Sequence, residues 1–227
     1  MNAKLTLIMR LVKHSVRLDY NTFYFNFTYF KFQDAIKLPV LVSKNTILKA
    51  IKGSVIIDGP LYYGRVIIGG GHVGIFDKRR SKTMWEVSGT VNFKGKAYIG
   101  HGSKIVVIRG GELILGDRFS ITAETSIIAA KKIEFGNSCL LSWDILIMDS
   151  DAHTISNNLG EIINAPKEII FGDGVWMGCR CTVLKGAIIP NGAVVGAGSI
   201  VSRELDKEQT LYAGVPAKLL KENISWK

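Results

Sequence analysis

Cysteine is scarce in this chain. Three cysteines, an odd number with no framework spacing, fit a reducing compartment and place the protein in the cytoplasm. No stretch of 18 or more residues is uninterruptedly apolar, so no membrane-spanning helix is expected. The first residues, MNAKLTLIMRLVKHSVRLDY, are apolar, but Arg10 and Lys13 interrupt them and no small-residue cleavage site follows. No secretory leader is expected there. Histidine is also rare, at four residues. No pair has H-x-x-x-H spacing, and Cys179 and Cys181 are too close for a zinc knuckle, so no catalytic metal is expected. A serine nucleophile lacks its G-x-S-x-G turn. Zinc-finger spacing, an RNP-like motif and a basic stripe with interleaved aromatics are all missing, which argues against nucleic acid as a partner.

Acidic residues are few as well. Nineteen Asp and Glu face 29 Lys and Arg, giving a net charge of +10 and a pI of about 9.5. That balance favours acidic partners: a phosphate-bearing cofactor, an anionic glycan or a membrane surface. The run Lys78–Arg79–Arg80–Ser81–Lys82 reads as a solvated loop.

What the chain has is a beat of six. Phe171, Met177, Val183, Ile189, Val195 and Val201 are evenly spaced and apolar. Two positions before the later beats stand smaller side chains: Val175, Cys181, Ala187, Ala193 and Ser199. Residues two apart on a strand face the same way, so each unit turns two side chains inward. A helical period of 3.6 cannot hold that register. A fixed short period marks a solenoid of short parallel strands, an all-β parallel β-helix. Leu115, Ile121 and Ile127 share the beat. So do Phe135, Leu141 and Ile147, after a two-residue slip near Ile133. Three units make a triangular turn of about 18 residues, and the regular span holds roughly six turns. The glycines that follow many beats, among them Gly116, Gly136, Gly172, Gly178 and Gly196, are expected at corners where φ is positive.

Three segments follow from this. Residues 1–52 form an N-terminal cap or extension. Leu5, Ile8, Met9, Leu11, Val12 and Val16 have helical spacing, which reads as a helix capping the first turn or as a basic amphipathic helix on an anionic membrane. The aromatic, alternating segment Asn21–Phe32 predicts one or two strands. Residues 53–205 form the β-helix, with irregular first turns and a loop at 76–86. Residues 206–227 form a tail with a short C-terminal helix after Pro216.

The beat breaks once at length. After Ile147 a polar excursion, about residues 149–166, precedes its resumption at Ile169. A solenoid has no structural need of such a loop, and long loops in compact folds are usually functional. It holds His153 with Asp149, Asp151 and Glu161 nearby. Histidine takes and returns a proton near neutral pH, and a carboxylate can fix its tautomer. His153 is the candidate general base, with Asp151 or Asp149 orienting its ring. Asp149 and Glu161 are candidates for binding an acceptor. His14, His72 and His101 read as structural.

Val175-Trp176-Met177-Gly178, Gly196-Ala197-Gly198-Ser199-Ile200-Val201 and Ala213-Gly214-Val215-Pro216-Ala217-Lys218 resemble the signature of the hexapeptide-repeat acyltransferases. Their galactoside, maltose and capsular or lipopolysaccharide O-acetyltransferases are the nearest branch. The resemblance covers residues 115–221. It implies a left-handed helix, where the general preference for crossovers is right-handed, and a homotrimer. It implies acetyl transfer from acetyl-CoA to a sugar hydroxyl, with His153 at the position of the family's catalytic histidine. Trp176 and Cys179 match positions beside the pantetheine, and Ala197 and Ser202 match contacts further along the arm. Lys218 and Lys221 match basic positions near the nucleotide phosphates. The family often has arginine there, and lysine keeps the charge without the bidentate fork. Ala129 and Ala130 stand where galactoside enzymes carry sugar-binding polar residues, so a simple galactoside is not the expected acceptor. Two other readings remain: N-acylation of a nucleotide-linked amino sugar, and a non-catalytic sugar-binding scaffold.

Overall fold

The computed structural model describes residues 19–77 and 79–226. Its strands wind into a three-sided prism. The first face is a nine-stranded sheet: β1 (Val40–Val42), β4 (Val66–Gly70), β7 (Ala97–Gly100), β10 (Phe119–Ile121), β13 (Leu140–Leu141), β16 (Trp176–Met177), β19 (Val194–Val195), β21 (Leu211–Ala213) and β22 (Lys218–Lys221). The second face stacks β2 (Thr46–Ile51), β5 (Thr83–Val87), β8 (Lys104–Val107), β11 (Ser126–Ala129), β14 (Leu146–Met148), β17 (Thr182–Leu184) and β20 (Ile200–Val201). The third stacks β3 (Ser54–Ile57), β6 (Thr90–Phe93), β9 (Glu112–Leu115), β12 (Lys132–Phe135), β15 (Ile169–Phe171) and β18 (Ile188–Ile189). Up to β20 each face takes every third strand, which is the order of a coil. This is the parallel β-helix expected from the six-residue beat, left-handed as the resemblance implied.

The beat is the core. All twelve beat residues from Leu115 to Val201 are at most 2% exposed, and the smaller residues two before them are buried too. Stacking in register puts like on like. Ile105, Ile127, Ile147, Val183 and Val201 pair in one column. Phe119, Phe135 and Phe171 form a ring ladder, with centroids 4.7 and 4.2 Å apart. Each buried aliphatic or aromatic side chain contributes roughly 1.5–3 kcal/mol, and each rung depends on its neighbours.

The glycines after the beats have a different cause from the expected one. Gly116 and Gly172 do not have positive φ. They sit where the next coil's backbone presses closest: a Cβ on Gly116 would lie 2.1 Å from the Gly136 carbonyl oxygen. The left-handed corner positions fall instead to other glycines, among them Gly102, Gly174, Gly192 and Gly198, and to Arg118, Glu124, Ser138, Asp144 and Arg180. Corner bonds hold them there. Ser138 N donates to Asp117 O at 2.7 Å and Arg180 N to Trp143 O at 2.9 Å. Along one edge Asp117, Asn137, Asp173 and Asn191 each accept from a backbone N–H one coil earlier, at 2.6–2.8 Å.

Both ends differ from expectation. The coil starts at Val40 rather than at residue 53, because β1 and β2 are full members of their ladders. Residues 20–29, expected as strands, form helix α1 (Tyr20–Tyr29), followed by α2 (Phe32–Ala35). The helix covers the open strand edge with side chains. Asn26 donates to Val40 O at 2.6 Å and accepts from Val40 N at 3.2 Å; Thr22 does the same for Val42. Buried Phe25 plugs the prism, edge-on to Trp85 at 5.3 Å. The helix expected over Leu5–Val16 lies outside the described residues. At the other end the expected C-terminal helix is strand β22, antiparallel to β21. Pairing there closes the sheet edge that a helix would leave open. Among the described residues no helix is long and apolar enough to cross a membrane.

Candidate active site

The long loop leaves the prism between the second and third faces. Ile147 pairs with Val183, twice the eighteen-residue step from Val183 to Val201. Asp149 begins the excursion. It is fully buried, and its carboxylate accepts from Ala130 N at 2.7 Å and Lys131 N at 2.8 Å. Its own carbonyl accepts from Lys167 N at 3.1 Å, where the loop returns. Asp149 therefore pins the root of the loop. A buried carboxylate with both oxygens engaged neither binds an acceptor nor orients His153, which corrects the expectation. It also holds the corner at Ala130 and Lys131, where the six-beat slips by two.

Beyond the root the loop is a small hairpin. Ser156 bridges Ile162, Ile163 N donates to Ile155 O at 2.9 Å, and Gly160 makes the turn. Glu161 is committed to this hairpin through Asn157 Nδ2 at 2.7 Å. At the base, Asn164 Nδ2 donates to Asp151 Oδ2 at 2.9 Å and to His153 O at 2.8 Å, and its Oδ1 accepts from Ile155 N at 2.7 Å. Lys185, on the coil, donates to Asp151 and, at 2.8 Å, to Asn164 O. The Lys185 ammonium, and after it the Asn164 amide, hold the Asp151 carboxyl below the usual carboxylate range.

His153 is exposed on this frame. Its backbone is fixed from both sides, with N donating to Asp151 O at 2.7 Å. Among the described residues no hydrogen bond reaches its ring. Asp151 thus acts on the loop backbone and on Lys185 rather than on the imidazole, which corrects the orienting role expected of it. Asn164 and Lys185 escaped the sequence reading. The polar loop end and a lysine directly after a strand were the available signals, and nothing in one dimension joins them.

The other candidates lie elsewhere. Trp176 points outward from the first face, its Nε1 3.2 Å from Ser142 Oγ. Cys179 and Ala197 stack at the edge between the first and second faces, where a Cβ on Gly178 would meet Ala197 N. Cys179 is half-buried, whereas Cys139 and Cys181 are buried, and burial pushes the Cys139 thiol up to about 12. Ser202 follows β20, at the edge from which the His153 loop departs. Lys218 and Lys221 are exposed on β22. Trp226, unnoticed in the sequence, lies 5.9 Å from the Trp176 ring and donates to Gly174 O at 2.7 Å. Within one protomer, then, the His153 loop and the Trp176–Cys179–Ala197 strip are rooted at different prism edges. A cleft of about 280 Å³ lies at neither; it sits at the N-terminal end, beside Leu41–Asn45 and Ile67–Gly71.

No family model matches the chain. Among curated proteins it is 34% identical over 124 residues to the polysialic acid O-acetyltransferase of Escherichia coli O1:K1, covering 54% of this chain and 40% of that one. It is 40% identical over 104 residues to the polysialic acid O-acetyltransferase of Neisseria meningitidis, covering 45% and 48%. The crystal structure of the polySia-specific acetyltransferase NeuO superposes with a TM-score of 0.62 at 26% identity, over 83% of this chain and 78% of that one. The chain is thus similar in sequence and in fold to bacterial O-acetyltransferases. It spans less than half the length of these two curated relatives. It spans 72% of the putative lipopolysaccharide biosynthesis O-acetyl transferase WbbJ of E. coli K12, at 28% identity.

Proposed function

We propose that this protein transfers an acetyl group from acetyl-CoA to a hydroxyl of a capsular, exopolysaccharide or lipopolysaccharide glycan, with His153 as general base. The observation that carries the reading is an exposed imidazole on a hairpin whose base is clamped by Asn164 and Lys185. That hairpin projects from a coil otherwise built for packing. The outward indole of Trp176, half-buried Cys179 and small Ala197 suit an apolar pantetheine arm. Exposed Ser202, Lys218 and Lys221 add polar and basic groups along the last coils, as a phosphate end needs. A surplus of ten positive charges suits an acidic acceptor.

His153 takes the acceptor's hydroxyl proton as the oxygen attacks the thioester carbon. The tetrahedral oxyanion collapses, the carbon–sulfur bond breaks, and the imidazolium returns its proton to the leaving thiolate. Ester and free coenzyme A result, with no other reactant needed. Holding both substrates in one groove makes the encounter effectively intramolecular. The loop and the Trp176 strip spring from different edges, so a threefold assembly that sets one protomer's loop against its neighbour's strip completes the site. The homotrimer and a cytoplasmic location belong to this proposal.

The test is thiol release from acetyl-CoA with a panel of acceptors: polysialic acid, lipopolysaccharide, a simple galactoside and a nucleotide-linked amino sugar. Release with an anionic glycan and little with the galactoside is expected. Release with the amino sugar alone transfers the reading to N-acylation, and silence throughout favours the binding scaffold.

A further inference from the structure

Helix α1 buries one side and exposes aromatic rings on the other. Its inner side, Thr22, Phe25 and Asn26, is spent on the coil. Its outer side carries Tyr20, Phe23, Tyr24 and Phe27, exposed by 74, 44, 42 and 46%. That spacing makes one continuous helical face. Tyr20 stacks on Tyr24 at 5.5 Å, and Phe27 meets Phe32 at 6.0 Å. Phe32 and Ile36, both more than half exposed, extend the surface. Contiguous apolar surface of this kind marks an interaction site. The described part of that end is basic as well: residues 19–52 hold five lysines against Asp19 and Asp34, a surplus of three. Lys31 and Lys44 are exposed, as is Lys37, which pairs with Asp34 at 2.7 Å.

We propose that this end of the prism seats on an anionic phospholipid bilayer, with the rings of α1 among the headgroups and the basic residues against the lipid charge. Phenylalanine and tyrosine favour that depth, tyrosine because its hydroxyl stays wet. Basic residues beside an apolar face are the pattern of interfacial helices. A second copy of the chain is a poorer occupant, because docking two such faces brings like charge onto like charge. Phe25, Thr22 and Asn26 hold the helix across the mouth of the prism, so its outer side faces along the prism axis. Four strand steps separate β2 from β14 on the second face. At about 4.8 Å per step, the rung bearing the His153 loop stands about 19 Å above the first coil. The bilayer contact is therefore separate from the reaction and does not depend on it.

The experiment is sedimentation of the full chain with phosphatidylcholine vesicles, with and without phosphatidylglycerol, at low and high salt. Partition into anionic vesicles is expected to exceed that into neutral ones roughly tenfold and to weaken with salt. The triple variant Phe23→Ser, Tyr24→Ser, Phe27→Ser loses roughly tenfold in partition at unchanged melting temperature and molecular mass. If that variant does not fold, Lys31→Glu with Lys44→Glu tests the same contact through charge alone and loses partition at low salt. Wild-type protein that stays with the supernatant overturns the proposal. So does partition that none of these changes alters, or a fall in molecular mass on removing the aromatic face, which assigns the face to a second copy.

Discussion

Two excursions leave the coil, and each meets a histidine. The first runs between β4 and β5, and the second between β14 and β15. In the first, Ser81 closes over His101, with Oγ 2.8 Å from Nδ1, and also donates to Glu124, which pairs with Lys104 at 2.7 Å. Phe76 lays its ring edgewise to the imidazole at 6.0 Å. His101 is 1% exposed. In the second excursion the carboxylate, amide and lysine grip the loop backbone, and the imidazole is left to solvent. Both places combine a histidine, a carboxylate, a lysine and a polar turn. What separates a structural knot from a candidate site is which of those groups the polar network engages. A network that binds the ring closes it to a substrate. A network that binds the chain on either side of the ring presents it.

The contrast breaks first at the histidines. His153→Ala is expected to lower turnover by about 10²–10⁴ with melting temperature unchanged, since its side chain supports nothing in the fold. Thiol-release kinetics beside a thermal melt decide it, and near-normal turnover removes His153 from the reaction. His101→Ala is expected to do the opposite. It takes a buried hydrogen-bonded group from the knot and costs about 1–3 kcal/mol of stability. The turnover of the molecules that remain folded stays the same. A denaturant midpoint with active-site normalisation measures both. Loss of turnover without loss of stability would give His101 a part in the chemistry.

The same contrast explains how much could be read in one dimension. From Leu115 onward the coil steps shorten from 20 to 18 residues, and 18 is three sixes. There Phe171, Val183 and Val195 announce the core unaided. Earlier coils step unevenly: Trp85 to Ile105 is 20 residues, Val91 to Leu113 is 22, Val40 to Val66 is 26 and Leu48 to Trp85 is 37. Extra corner residues in those turns blur the period, so β1 and β2 were not seen as coil. The cap was obscured for another reason. Thr22 and Asn26 act as a strand while sitting on a helix, and residue alternation cannot show that. Of the site, His153 was legible because its loop interrupts a strict rhythm. Lys185 was not, because it lies inside that rhythm and meets Asp151 only after the coil has wound a full turn. Asp149 misled for the same reason: its partners, Ala130 and Lys131, are one coil away.

Lys185 sharpens the comparison further. If the second network acts by presenting the ring, then loosening it should slow the reaction without harming the fold. Lys185→Met is expected to reduce kcat about tenfold with KM little changed, as a modest misplacement of a catalytic group does. Lys185→Arg restores much of the loss because it can still reach Asp151. A change in KM alone would make Lys185 a substrate-binding residue.

The smallest effect belongs to Asp151, and its direction with pH is fixed. Lys185 lowers its pKa in the closed loop relative to the open one. A group shifted that way favours closure above its open-state pKa and surrenders that contribution as pH falls through the closed-state value. The clamp therefore holds through neutral pH and loosens only under acid, below the usual carboxylate range. Asp151→Asn keeps the shape and removes the charge. It is expected to lower kcat only about two- to fourfold, because an exposed ion pair contributes little. Protection of the amides of residues 151–164 from hydrogen exchange should fall on acidification in the wild type and stay level in Asp151→Asn. Equal acid sensitivity in the two proteins would mean that Asn164, acting through hydrogen bonds that do not titrate, holds the loop without help from the pair.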